Sequence, residues 1–180
     1  AVLVTALVVG YTLTGGLKAV VRTDAVQGAI ALALLWLGLA MVINDAGGLG
    51  VALESISSSE GTSGLLGRDG NYTLLIWSST MILWLFADPM FPQLYQRLCA
   101  AESDYAIGRM ATLYPAVAWL AFLPPILIGT LGHLDNPGLD RSGSDNILPT
   151  MIMDVGGEWL GGLVLVSGLA ALMSTMDSQL

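Results

Sequence analysis

Long apolar runs without charge alternate along this chain with short stretches of Gly, Ser, Asp and Pro. Residues 1–17 carry no charge and read as the end of a membrane helix, broken at Gly15-Gly16. Lys18, Arg22 and Asp24 mark a short polar turn. Residues 25–44 form an uncharged run of the length, about 20 residues, that one membrane crossing needs. Residues 45–72 are a polar loop rich in Gly and Ser, with a short surface helix expected around 50–56. Asn71-Tyr72-Thr73 fits a glycosylation acceptor, but it lies so close to the next helix that an incidental match is the simpler reading. Residues 73–87 are apolar until Asp88, Pro89 and Pro92 interrupt them, and proline breaks a helix by removing a backbone donor. A polar connection over 96–109 is expected to hold a short amphipathic helix. Residues 110–132 form a third uncharged run, with Pro115, Pro124 and Pro125 inside it. A loop follows over 133–149, then a short interfacial helix over 147–155 and a final span over 159–176.

The final span has a polar edge. Ser167, Ala171, Ser174, Thr175 and Ser178 recur at spacings of three and four, so on a helix they share one face. Two readings stand. Small residues let helices pack closely, or hydroxyl and carbonyl oxygens supply the hard ligands that a small cation such as Na⁺ takes. Asp177 sits beside this stripe. Gly157 and Gly161 have the small-xxx-small spacing of close helix contacts and read as packing.

Composition narrows the class. Hydrophobic residues make up 54% of the chain and charged residues 11%, with a mean hydropathy of +0.73. Soluble domains carry about 25% charged residues, so this is an integral membrane protein. It opens in the middle of an apolar run and stops directly after its most polar helical motif, as a piece of a longer protein would. The net charge of −8, from six basic and fourteen acidic residues, argues against nucleic acid as a partner. A single Cys99 excludes an intrachain disulfide and a cysteine-based metal cluster. His133 stands alone in a loop and offers no His-rich metal site. No nucleophile or acid–base pair is laid out for an enzyme.

Loop charge sets an orientation. Lys18, Arg22, Arg97 and Arg109 fall on one side, Arg68 and Arg141 on the other. The positive-inside rule makes the Lys18/Arg22 and Arg97/Arg109 loops cytoplasmic. Ser174 and Thr175 then lie roughly 23 Å along the last helix from Trp159, past the midplane toward the cytoplasm.

Two carboxylates invite a function. Asp24, at the start of a span, caps the positive end of a helix dipole, or meets the hydroxyl stripe near Thr175 to complete a cation site. Asp88 sits where an ionisable group is costly, beside prolines that free backbone carbonyls as the broken helices of transporters do. It faces a cavity, or else pairs with a structural partner such as an arginine. Trp84 lies four residues earlier, on the same face. Trp77, Trp119 and Trp159 fit the aromatic belt of a membrane interface.

Three segments resemble a known family. YTLTGGLKAVVRTDAVQG (Tyr11 to Gly28) looks like the signature of the sodium:solute symporters, PQLYQRLCAAES (Pro92 to Ser103) resembles that family's cytoplasmic motif, and LAALMSTMDSQL (Leu169 to Leu180) resembles the helix supplying its sodium site. The pattern is nearest the proline, pantothenate and monocarboxylate branch. The resemblance implies an all-α integral membrane fold of two inverted five-helix repeats. This chain would hold the middle part, with about five membrane segments, as a single transporter domain over 1–180 that is incomplete at both ends. It implies Na⁺ bound by Ala171, Ser174 and Thr175, with further ligands from a first core helix, and an Asp24 that supports sodium coupling. It places Trp84, Asp88 and Tyr114 along the solute cavity, although Asp88 departs from the aromatic usual there. The expected activity is sodium-coupled symport of a small organic solute, an amino acid such as proline or a carboxylate, across the cell membrane, with Na⁺ as coupling ion and no other cofactor. The alternatives are a membrane sensor module of a signalling protein built on the same fold, and a proton-coupled carrier in which Asp88 or Asp24 titrates.

Overall fold

The computed structural model describes residues 2–59, 73–136 and 138–177, and all of their regular structure is helical. Helix α1 runs Val2–Asp45, α2 Leu49–Ser58, α3 Leu74–Ala87, α4 Pro92–Cys99, α5 Asp104–Asp135, α6 Arg141–Asp145 and α7 Ile147–Asp177. A short 3₁₀ turn over Asp88–Met90 joins α3 toward α4. Among the described residues three helical stretches are long and apolar enough to cross a membrane: Lys18–Asp45, Asp104–Asp135 and Ile147–Met176. α3 is apolar but has only 14 residues, about 21 Å at the helical rise.

Two of the long helices bend at glycine. α1 leaves helical geometry at Gly16 (φ 58°, ψ −167°) and α7 at Gly157 (φ 70°, ψ 179°). This backbone region is essentially closed to residues with a Cβ. The expected break at Gly15-Gly16 is therefore present. The polar turn expected after it is not, because α1 continues unbroken past Lys18, Arg22 and Asp24. No Gly or Pro stands between Leu17 and Gln27 to stop it, and Lys and Arg are good helix formers. Asp24 is thus about two turns inside the helix, too deep to cap it.

Gly157 is likewise a bend rather than a packing position. Gly161 is the close-packed position of the two, since a Cβ there would collide with Met153 from the other side of the bend. The segment before the bend does not lie along an interface as expected. Met151 and Ile152 are buried with Leu39 and Val42 of α1, Ala52 and Ile56 of α2, and Ile128 and Leu131 of α5. A Cβ on Gly38 would come within 2.9 Å of Ile152, and one on Gly132 would strike Ile147. The bend turns this arm of α7 into the groove between α1 and α5, and two glycines on those helices admit it.

This core fixes the directions. α1 and α5 run parallel and α7 returns antiparallel between them, so that Asp45, Asp135 and Met151 border one cleft at the same end. The opposite end carries the start of the Lys18–Asp45 span, the end of α4 and the start of α5, and with them Lys18, Arg22, Arg97 and Arg109. α5 starts at Asp104, earlier than the polarity suggested, because the Ser103 hydroxyl accepts the Ala106 N–H at 3.3 Å and caps it. It also runs further, so His133 lies in its last turn rather than in a loop.

The two long parallel helices are pinned in mid-span. Pro124 has no N–H, so it leaves the Leu120 carbonyl without its helical donor. Trp36 Nε1 on α1 donates to that carbonyl at 2.9 Å. In lipid such a carbonyl needs a partner from within the protein.

Candidate sodium site and inner face of the bundle

The C-terminal arm of α7 packs along α1, the most extensive helix pair in the fold. Val164 and Ser167 are buried on that face, Ser167 only 8% exposed. Its hydroxyl donates to the Val164 carbonyl at 2.7 Å, which satisfies a buried polar group locally. Ser174, two turns on, is half-buried on the same ridge, whereas Ala171 and Thr175 stand at its exposed edge. The predicted triad therefore straddles the border between the packed face and an open flank. Ser178 lies outside the described residues.

Thr175 Oγ1 donates to the Ala171 carbonyl at 3.1 Å. Thr112 and Thr130 make the same bond, so it is first of all the local satisfaction of a helical hydroxyl. Two hard oxygens so close can share one cation of calcium's size, whose metal–oxygen distances are about 2.3–2.6 Å; Na⁺ is similar. The hydroxyl proton only has to rotate away. Carbonyl and hydroxyl oxygens at positions i and i+4, with a third hydroxyl at i+3, fit a monovalent hard cation better than a transition metal, which prefers nitrogen or sulfur.

Asp24 has a partner that sequence reasoning missed. Arg97 Nη2 donates to its Oδ2 at 2.5 Å, joining α4 to α1 over 73 residues of chain. Asp24 is 11% exposed and Arg97 37%. The other carboxylate oxygen, Oδ1, and Oε1 of Gln27 one turn further on are both buried without a hydrogen-bond donor. The spacing Asp24-x-x-Gln27 was visible in the chain, but nothing in it pointed to Arg97.

The three residues expected at a solute cavity are placed apart from this. The Asp88 N–H donates to the Trp84 carbonyl, which continues the helical turn and keeps both residues on one face of α3. Asp88 is half-buried at the head of the 3₁₀ turn, with Pro89 next to it. Trp84 is 53% and Tyr114 56% exposed. α3 and α5 share no extensive contact, so Tyr114 is not drawn onto Trp84 and Asp88. α3 buries none of its residues. Its hydroxyls Ser78, Ser79 and Thr80 all donate back to carbonyls one turn earlier, which satisfies them locally.

Comparison with known proteins follows the same lines. The sodium:solute symporter family matches residues 1–180. Over 188 residues the chain is 30% identical to the sodium/pantothenate symporter of Haemophilus influenzae, covering 100% of this chain and 37% of that protein. Over 178 residues it is 29% identical to the sodium/proline symporter of Escherichia coli, covering 94% of this chain and 34% of that protein. The high-affinity choline transporter 1 of Torpedo marmorata is 24% identical over 182 residues, 94% of this chain and 30% of that protein. The chain thus spans about a third of the length of the curated relatives it matches. No solved structure matches.

Proposed function

The chain belongs to the sodium:solute symporter family, and we propose that it is the middle part of a sodium-coupled symporter for a small organic solute. The solute is an amino acid such as proline, or a carboxylate such as pantothenate. Support comes from the relatives, whose names include sodium/pantothenate and sodium/proline symporters. The observation that carries the reading is the family match over residues 1–180, and the Ala171 carbonyl with the Ser174 and Thr175 hydroxyls within one turn of α7 supplies neutral hard oxygens that suit it.

In this reading Na⁺ is cargo. It enters from outside and takes up the Ala171, Ser174 and Thr175 oxygens, while Asp24, once parted from Arg97, supplies negative charge at the same end of α1. Neutral oxygens in a dry site are poorly satisfied alone, so the ion favours the conformation that gathers them. Solute then binds where Trp84 and Asp88 of α3 and Tyr114 of α5 stand, the residues that the family resemblance assigns to the cavity. Because coupling is a free-energy difference between states, solute and Na⁺ tighten one another's binding. The fold is a five-plus-five inverted repeat, here a single transporter domain. Its five segments are the two arms of α1, then α3, α5 and α7. The end bearing Lys18, Arg22, Arg97 and Arg109 faces the cytoplasm, as the positive-inside rule requires.

The test is uptake by the full-length protein in proteoliposomes, with a panel of proline, pantothenate, short monocarboxylates and choline. An inward Na⁺ gradient should drive accumulation of one of the first three classes. Accumulation driven equally by a pH gradient without Na⁺ would replace this reading with proton coupling.

A further inference from the structure

We propose that the Arg97–Asp24 ion pair is the latch of the inner gate: it holds α4 across the cytoplasmic end of α1, and its parting admits water to Asp24 and Gln27. The proposal rests on the transport reading above for its direction and adds the moving part.

Three observations converge on it. First, among the described residues α4 packs against the turn before it and shares no extensive contact with α1, α5 or α7, so its tie to α1 rests on few groups. A segment attached in this way can swing about the non-helical Phe91 between the 3₁₀ turn and α4. Second, the ion pair is the tie between the two helices. Arg97 stands in the last turn of α4, where a cation also complements the helix dipole, and it reaches Asp24 Oδ2 on α1. Third, the closed arrangement leaves Asp24 Oδ1 and Gln27 Oε1 buried with no donor. Buried acceptors without donors oppose the arrangement that buries them. One strong charged contact therefore closes the gate while two bare oxygens favour opening it to water. An element biased both ways is what a switch between two conformations requires.

The test uses the full-length protein in inverted membrane vesicles, with Cys99→Ser and a reporter cysteine, Gln27→Cys. The reagent is a membrane-impermeant maleimide added at the cytoplasmic face. Labelling should be slow with Arg97 present and about tenfold faster in Arg97→Gln, on the scale of a partly buried charge pair. Arg97→Lys, which keeps the charge, should remain slow. The charge exchange Asp24→Arg with Arg97→Asp should return the fast variant toward the slow rate, which separates a latch from simple misfolding. Equal rates with Arg97 present and in Arg97→Gln, or an exchanged pair as fast as Arg97→Gln, overturns the latch. Labelling needs no solute and no Na⁺, so a protein without sodium-driven uptake still decides the question. A failed latch beside intact sodium-driven uptake removes only this inference.

Discussion

At the scale of single residues, the fold is held by groups that answer each other's missing hydrogen bonds. Pro124 strips the Leu120 carbonyl of its donor, and Trp36 Nε1 supplies another at 2.9 Å. Interhelical hydrogen bonds in membranes contribute about 0.5–2 kcal/mol. Trp36→Phe should therefore lower thermal stability in detergent by that order. In a Pro124→Ala background, where Leu120 regains a helical partner, the same substitution should cost less. Equal losses in both backgrounds would mean that Trp36 acts by packing alone. The sequence showed the proline but not its partner. Trp36 sits in the middle of an apolar run, and a backbone carbonyl on another helix leaves no mark in the pattern. Arg97 and Asp24 are legible in the sequence as charges. Their pairing is not, because nothing local links residues 73 positions apart.

At the scale of elements, two glycines decide how the long helices run. Gly16 and Gly157 both have positive φ with extended ψ, and nothing lies within 4 Å of where a Cβ would stand. The cost of alanine there is conformational rather than steric, about 1–3 kcal/mol. Gly16→Ala and Gly157→Ala should each destabilise the protein by that amount. Gly28→Ala, inside the same helix as Gly16 and equally uncrowded, should be neutral or stabilising by up to about 1 kcal/mol. Melting temperatures of the three variants check this, and equal effects at Gly16 and Gly28 would contradict it. The break at Gly16 was readable because a glycine pair ends an apolar run just before charged residues. Gly157 also follows a glycine, but its spacing to Gly161 matched a packing motif, and that periodicity hid the bend. The arm before it looks interfacial in the sequence for a related reason. Its mixed polarity is that of a surface helix, while its burial comes from gaps at Gly38 and Gly132 on other helices.

At the scale of the molecule, the two ends differ. The end bearing Asp45 and Asp135 holds the packed core of α1, α2, α5 and the first arm of α7. The other end is joined by an ion pair and by the polar ridge of α7. In the transport reading proposed above, the end joined by the ion pair is the one that opens to release cargo. The orientation has its own check: Cys99, exposed at the end of α4, should be modified by an impermeant thiol reagent only from the cytoplasmic side. Modification from outside in intact cells would invert the account. Class and family were legible from composition and three motifs. The grouping of Trp84, Asp88 and Tyr114 that the resemblance implies is not drawn together here, because α3 and α5 share no extensive contact among the described residues.

The central claim is that the oxygens of α7 bind the coupling ion, and the Na⁺ dependence of solute uptake tests it most directly. Ser174→Ala and Thr175→Ala, compared with Ser79→Ala on the exposed face of α3, should raise the Na⁺ concentration for half-maximal uptake. The shift should be about tenfold or more, the loss expected when a charged ligand forfeits one hydrogen-bonding oxygen. The Ser79 variant should match the unsubstituted protein. An unchanged Na⁺ dependence in both α7 variants would contradict the account.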